Sequence, residues 1–400
     1  MHRREFLTTT AAVAAAFPAG VIFAAAERRW RVAVIGDTGR GNYGHGLHTM
    51  WLGLPQTEVV GIADPDEAGR AKAQAATGMP PGFADYHEML AEVQPEIVVV
   101  APRHLDQHRD MAVAAAQAGA RGIYCEKPFC RTPAEADDIV AACSASGARL
   151  AIAHRNRYHP AIAVVQQAVA DGAIGELLEI RGRGREDQRG GVQDLWVLGT
   201  HILDLTRCFG GEGVACSATL LQDHRPATPG DLRPGDEGVG PVAGNELHAR
   251  FEMSLGVPAY FDSIRDRVDP DANFGLQLIG TKGLIQLRID AEPLAHLVPG
   301  NPFRPTAEAR PWIPISSGGV GVAEPVADMK EQVEQHRYAA RDLLAAIEEN
   351  RPPLSSDVDG RAIVEMTHAV LASHVHNGER ITLPLEKRRH AFEGWMAGKQ

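Results

Sequence analysis

The 400-residue sequence predicts an α/β protein with two sheets: an N-terminal doubly wound parallel sheet, then an α/β part with a large, mostly antiparallel sheet. Three observations predict it. From Trp30 to Ala153, short apolar runs alternate with helix-like segments, the pattern of a parallel sheet covered on both faces. A glycine-rich turn follows the first of these runs. From Arg155 onward, strand-like runs follow one another with few helices between them, which implies antiparallel pairing.

Length and composition bound the rest. Four hundred residues exceed one compact core and suggest two or more domains. Hydrophobic content of 44% and charged content of 23% are those of a globular chain. A net charge of −11 without a long basic run argues against nucleic-acid binding. Five cysteines cannot all pair and do not form a disulfide scaffold. Residues 1–26 read as a signal segment: Arg3-Arg4-Glu5-Phe6-Leu7, an apolar run from Ala11, and a small-residue end at Ala24-Ala25-Ala26. This resembles a twin-arginine export signal and predicts a periplasmic or otherwise exported protein. Pro18 and Thr8 to Thr10 leave the run too short for a membrane span.

Trp30 to Ile35 is the first strand, and Gly36 to Gly46 is the turn after it. Leu47 to Leu54 is then expected as a helix, which would complete the start of a nucleotide-binding βαβ unit. Further strands are expected at 58–63, 96–101, 123–125 and 149–153, and helices at 68–77, 86–93, 104–120 and 133–146. Thr132-Pro133-Ala134-Glu135 is a helix start with an N-cap and a capping-box glutamate. These segments make 27–153 a Rossmann-type dinucleotide-binding domain. Residues 154–385 form the second domain, for substrate and oligomer contacts, and 386–400 are a tail. Within the second domain, helices are expected at 161–170, 199–209, 329–350 and 357–377, strands at 176–184, 214–221, 246–253, 259–264, 274–280, 284–289 and 381–385, and long loops at 225–244 and 296–327.

Two stretches carry chemistry. Gly39-x-Gly41-x-x-Gly44 matches the dinucleotide spacing but starts late, so Gly36 is read as the turn glycine, with Gly39 and Gly41 admitting the pyrophosphate. A plain glycine turn joining strand to helix is the competing reading. Asp64, at the end of the second strand, lies where a carboxylate meets the ribose hydroxyls and favours NAD, while Arg40 and Arg70 keep NADP open. The second stretch is Glu126-Lys127-Pro128, where the strand from Ile123 to Cys125 emerges. Pro128 restricts Lys127 to extended angles and permits a cis bond, so the lysine sits fixed at the strand's crest, where open α/β sheets bind ligands. A solvated surface pair is the alternative.

Glu126-Lys127-Pro128 in this position resembles the glucose-fructose oxidoreductase and inositol dehydrogenase (Gfo/Idh/MocA) family. The likeness spans about residues 30 to 385. It includes Arg157-Tyr158-His159-Pro160, Gly175, His201-Ile202-Leu203-Asp204, Gly280-Thr281-Lys282-Gly283 and Thr382-Leu383-Pro384. The resemblance implies that Lys127 contacts the substrate hydroxyl beside the nicotinamide and that His201 exchanges its proton. It also implies cofactor contacts at Gly36, Thr38, Gly39, Arg40, Gly41, Asp64, Pro102, His108, Glu126 and Lys127, and a homo-oligomer formed through the second sheet. His201 also fits a satisfied core histidine. The family's aspartate four residues before the histidine is Val197 here, which leaves Asp194 or Asp204 to orient the ring. Arg157 is read equally as a substrate anchor and as an interface brace. His104 with His108, and His374 with His376, have ligand-like spacing but no completing set, so no metal is expected.

The function expected is NAD(P)-dependent hydride transfer at a hydroxyl or keto group of a sugar, sugar derivative or cyclitol. Two alternatives remain. One is a glycosidase or lyase that oxidises its substrate transiently with tightly bound NAD. The other is a non-catalytic sugar-binding protein.

Overall fold

A computed structural model describes residues 28–267 and 274–396; the expected signal segment, 1–26, lies outside them. Six parallel strands form the first sheet: β1 (Trp30–Ile35), β2 (Thr57–Ala63), β3 (Gly82–Phe83), β4 (Ile97–Val100), β5 (Gly122–Cys125) and β6 (Arg149–Ile152). Their spatial order is β3-β2-β1-β4-β5-β6, which reverses direction between β1 and β4. Ligands bind at that reversal, outside the strands' carboxyl ends. The near-continuous Val, Ile and Ala of β1 and β4 suit strands buried on both faces.

The first connection differs from expectation. Residues 43–53 form successive turns and a short 3₁₀ segment at Met50–Gly53 instead of a helix. Gly41, Gly44 and Gly46 hold φ of 94°, 58° and 82°, left-handed angles that an α-helix excludes. Helices α1 (Glu67–Ala76), α2 (Tyr86–Val93), α3 (His108–Gln117) and α4 (Pro133–Ser146) complete the two layers. Of the helix expected at 104–120, the first four residues are a strand-end turn and 3₁₀ segment. Thr132 caps α4 through the Glu135 N–H, 3.2 Å away, but the Glu135 carboxylate accepts from the Arg131 N–H, one residue before the cap.

The chain continues through α5 (Ala161–Ala170), β7 (Leu177–Arg183), α6 (Gly191–Asp194), a π turn at Leu195–Gly199 and α7 (Thr200–Gly210) to β8 (Gly213–Gln222). An eleven-stranded sheet is built around β7 and β8. It is antiparallel except where β7 pairs in parallel with Pro258–Ile264. The loop expected at 296–327 instead adds strands at Ala295–Pro299, Ile313–Ser316 and Gly319–Val320. Prolines and glycines there hide the apolar alternation from sequence. The helix expected from Met329 to Asn350 is broken into α8 (Met329–Glu334) and α9 (Arg337–Glu348) by His336, which has φ 56°. α9 returns to the first sheet, where Ala339, Ala340, Leu343 and Leu344 join its core. α10 (Asp357–Val375) then packs on α4, α7 and β8, so the C-terminal helices bind the two sheets together.

Candidate active site

The stretch after β5 is buried and tightly bonded. The Lys127–Pro128 peptide is cis, and Lys127 is 4% exposed. Glu126 is fully buried and acts as a link: one oxygen takes the Lys127 N–H at 2.8 Å, and the other meets His45 Nδ1 at 2.9 Å and the His45 N–H at 3.2 Å. Burial alone would raise the Glu126 pKa, but the His45 and Lys127 charges outweigh it and hold the carboxyl below its usual range. The glycine loop must pass close to reach it. A Cβ on Gly44 would lie 2.2 Å from the Glu126 carboxylate and 2.7 Å from the Ala101 carbonyl, so only glycine fits.

Lys127 Nζ donates to the Val197 carbonyl at 3.1 Å. Its acceptor is thus the backbone at the position where the resemblance leads one to expect an aspartate. Burial lowers the Lys127 pKa, while Glu126 and Glu237 oppose that. Glu237 comes from the 225–244 loop, has φ 55°, and has one buried carboxylate oxygen without a partner among the described residues. Sequence gave no sign of it, because a charged residue in a proline- and glycine-rich loop reads as solvated.

Two imidazoles share the interior beside the lysine. The His154 and His201 rings pack edge to face with centres 5.4 Å apart. His201 Nδ1 and His154 Nε2 are buried without partners among the described residues. Burial, followed for His154 by the Lys127 charge and for His201 by the His154 and Lys127 charges, keeps both rings neutral: His154 falls to about 3 and His201 well below its usual value. Behind His154, the Ser355 hydroxyl lies 3.0 Å from Nδ1 and donates to Asp204 Oδ1 at 3.0 Å. Burial pushes Asp204 up to about 6 against the attraction of Arg157. His154 and Ser355 were not picked out from sequence. His154 ends a strand like any loop histidine, and Ser355 reads as part of the α10 cap.

The expected site residues sort clearly. Lys127 and His201 share one interior, and Asp204 stands behind it, joined to His154 through Ser355. Asp194 does not join them: its carboxylate takes the Ser263 hydroxyl at 2.6 Å and the Glu186 N–H at 3.0 Å. The π turn between Asp194 and His201 explains this, because one extra residue in a turn rotates the face by ~100° and defeats the seven-residue spacing. His108 is fully buried. Its Nε2 lies 2.7 Å from the Pro102 carbonyl and its Nδ1 lies 3.0 Å from that of Pro128, so it clasps the loops after β4 and β5. Arg157 is a brace, donating to the Leu354 carbonyl at 3.2 Å with Nε 3.9 Å from Asp204. Among the described residues, no group of three or more His, Cys, Asp or Glu could hold a metal.

The residues around the glycine loop fit a dinucleotide. Gly41 packs so closely on Arg103 that a Cβ would meet it at 2.7 Å, and the Nε atoms of Arg40 and Arg103 are buried without partners. Backbone N–H groups and two such donors suit a pyrophosphate. Asp64 ends β2 fully buried, accepting from the Thr38 N–H and, at 2.7 Å, the Thr38 hydroxyl. Arg40 is paired with Asp106, and Arg70 donates to the Asp64 carbonyl at 2.6 Å. Gly36 is covered by the Tyr43 ring, and Gly39 faces Asp37.

This fold and site define an NAD-binding oxidoreductase. Residues 30–154 match the family described as "Oxidoreductase family, NAD-binding Rossmann fold". The chain is 26% identical over 359 residues to levoglucosan dehydrogenase of Pseudarthrobacter phenanthrenivorans, covering 80% of this chain and 88% of that protein. It is 34% identical over 179 residues to D-apiose dehydrogenase of Paraburkholderia graminis, covering 42% of this chain and 46% of that protein. The solved complex of a levoglucosan dehydrogenase with NADH and levoglucosan has the same fold, with a TM-score of 0.70 at 20% identity, over 89% of this chain and 100% of that one.

Proposed function

We propose that the chain is an NAD-dependent dehydrogenase acting on a hydroxyl or keto group of a sugar, sugar derivative or cyclitol. One observation carries the reading: a buried ammonium, Lys127, which among the described residues is bonded only to a backbone carbonyl, beside two neutral imidazoles each with a nitrogen unpartnered among them, next to the glycine loop. A hydroxyl placed there would accept from Lys127 Nζ, which stabilises the forming alkoxide, and would give its proton to His201. The bound nicotinamide supplies the hydride acceptor. The names of the similar proteins, levoglucosan, D-apiose and inositol 2-dehydrogenases, support the substrate class.

The test is incubation of the mature chain with NAD and a panel of anhydrosugars, pentoses, hexoses and cyclitols, following nicotinamide absorbance and products together. NADH should form in proportion to oxidised product. Sugar release without NADH, or sugar binding without turnover, would overturn the reading. We further place the protein outside the cytoplasm on the strength of Arg3-Arg4 and the apolar run after it. N-terminal sequencing of protein from cell fractions should find exported chain beginning near Glu27, and cytoplasmic chain beginning at residue 1 or 2 would refute that. The polar outer face of the second sheet is proposed as the homo-oligomer contact; a monomer in light scattering would exclude it.

A further inference from the structure

His154, Ser355 and Asp204 come from three distant segments and meet in the interior. His154 follows β6 and is 1% exposed; Asp204 lies on α7 and is 3% exposed; Ser355, just before α10, is fully buried. Ser355 is fixed by its backbone: its carbonyl takes the Ile152 N–H at 2.9 Å and the Tyr158 hydroxyl at 3.2 Å. The hydroxyl therefore stands still between an imidazole and a carboxylate, 3.0 Å from each. We infer that these three residues form a proton wire behind His201, with Asp204 as the terminal acceptor of the proton removed from the substrate hydroxyl. The inference rests on the dehydrogenase reading of the same site.

The wire follows from counting hydrogens. Ser355 has one proton to give. When Asp204 is ionised, that proton points to Asp204, so Ser355 Oγ accepts from His154 Nδ1–H and Nε2 is bare. When Asp204 is protonated, it donates to Ser355, Ser355 donates to Nδ1, and the imidazole proton sits on Nε2. Asp204 therefore sets which nitrogen of His154 carries the hydrogen. The open junction lies between His154 Nε2 and His201 Nδ1: the ring centres are 5.4 Å apart and neither nitrogen has a partner among the described residues, so one bridging water is the link the wire requires.

Each bond broken is matched by one formed. The substrate O–H proton moves to His201 Nε2 as hydride leaves for the nicotinamide. The His201 Nδ1 proton passes to His154 Nε2, the His154 Nδ1 proton to Ser355 Oγ, and the Ser355 proton to Asp204. A carboxylate becomes a carboxylic acid, and neither ring becomes an imidazolium. That outcome suits the surroundings. Burial, and after it the Lys127 charge, disfavour positive charge on His154; Asp359 and Glu126 favour it, and Arg157 adds a smaller disfavouring effect. Asp204 is faced by Arg157, Asp359 and Arg207, and its elevated affinity for a proton is what a terminal acceptor needs.

The test reads both tautomer and turnover. In histidine-¹⁵N spectra of the intact chain with no substrate, His154 should carry its hydrogen on Nδ1 above the Asp204 ionisation and on Nε2 below it. Ser355→Ala should abolish that switch, lower kcat for oxidation by ~10²-fold with KM little changed, and remove the acid limb near pH 6 from the kcat profile. The wild-type spectra need no variant, so a misfolded Ser355→Ala leaves the test intact. A tautomer that does not change with pH, or an unaltered pH profile in folded Ser355→Ala, overturns the wire. A tautomer switch in a chain that oxidises nothing on the panel defeats the dehydrogenase reading instead.

Discussion

Replacing Asp204 with asparagine should stabilise the folded chain at neutral pH. The carboxyl titrates near 3.8 when unfolded and at about 6 in the fold, with burial as the main cause. A folded pKa raised above the unfolded one means that the neutral acid fits the site and the carboxylate does not. Its stability contribution is full below pH 3.8 and is lost as pH rises through about 6. The gap of about two pH units, at ~1.36 kcal/mol each, is worth about 3 kcal/mol. About half of that falls between pH 5 and 7.5. Asparagine keeps the shape and the acceptor for Ser355 without the buried charge. Urea unfolding of parent and Asp204→Asn at pH 5 and 7.5 measures the effect. The variant should gain ~1.5 kcal/mol on the parent between the two pH values. A difference that stays constant, or moves towards the parent as pH rises, would refute the view that Asp204 is an unwilling carboxylate.

Three further substitutions and one control probe the site. Gly44→Ala puts a Cβ 2.2 Å from the Glu126 carboxylate at φ 58° and should cost ~2–5 kcal/mol with loss of NAD affinity; Gly119→Ala, also at positive φ but in open space, should cost only ~1–2 kcal/mol and leave NAD titration calorimetry unchanged. Lys127→Met removes a buried ammonium, so thermal stability should hold while kcat falls ~10²–10⁴-fold. A stable, fully active variant would exclude Lys127 from the chemistry. His108→Leu strands the Pro102 and Pro128 carbonyls and should cost ~2–4 kcal/mol in urea melts.

What sequence could reveal followed from local pattern. Five strands of the parallel sheet were legible as apolar runs, the two-residue β3 was too short to show, and Lys127 was legible because Pro128 and the strand before it fix its place. The first connection was misread because three left-handed glycines override the apolar spacing of Leu47 to Leu54. Asp194 was misassigned because a seven-residue spacing assumes an unbroken α-helix, and the π turn at Leu195–Gly199 breaks it. His154 and Ser355 lie 201 residues apart and meet only when α9 and α10 return to the first sheet. Such a meeting has no local period to detect.

The π turn and the buried relay answer the same change. With valine at 197, no side-chain carboxylate stands one turn before His201, and Lys127 bonds to the Val197 carbonyl instead. A neutral dipole cannot take up a proton, so the site needs an acceptor elsewhere. Asp204 lies one turn after His201, on its far side from Val197, and reaches the site only through Ser355 and His154. That acceptor exists only while the segment before α10 stays docked on β6. Proton transfer is thereby coupled to the packing of the C-terminal helices against the first sheet. Loosening that contact, for example at Tyr158, whose hydroxyl holds the Ser355 carbonyl, should slow oxidation without touching cofactor or substrate. In Tyr158→Phe a reduced kcat with unchanged NAD affinity is the expected outcome, and an unchanged kcat would separate the relay from the docking.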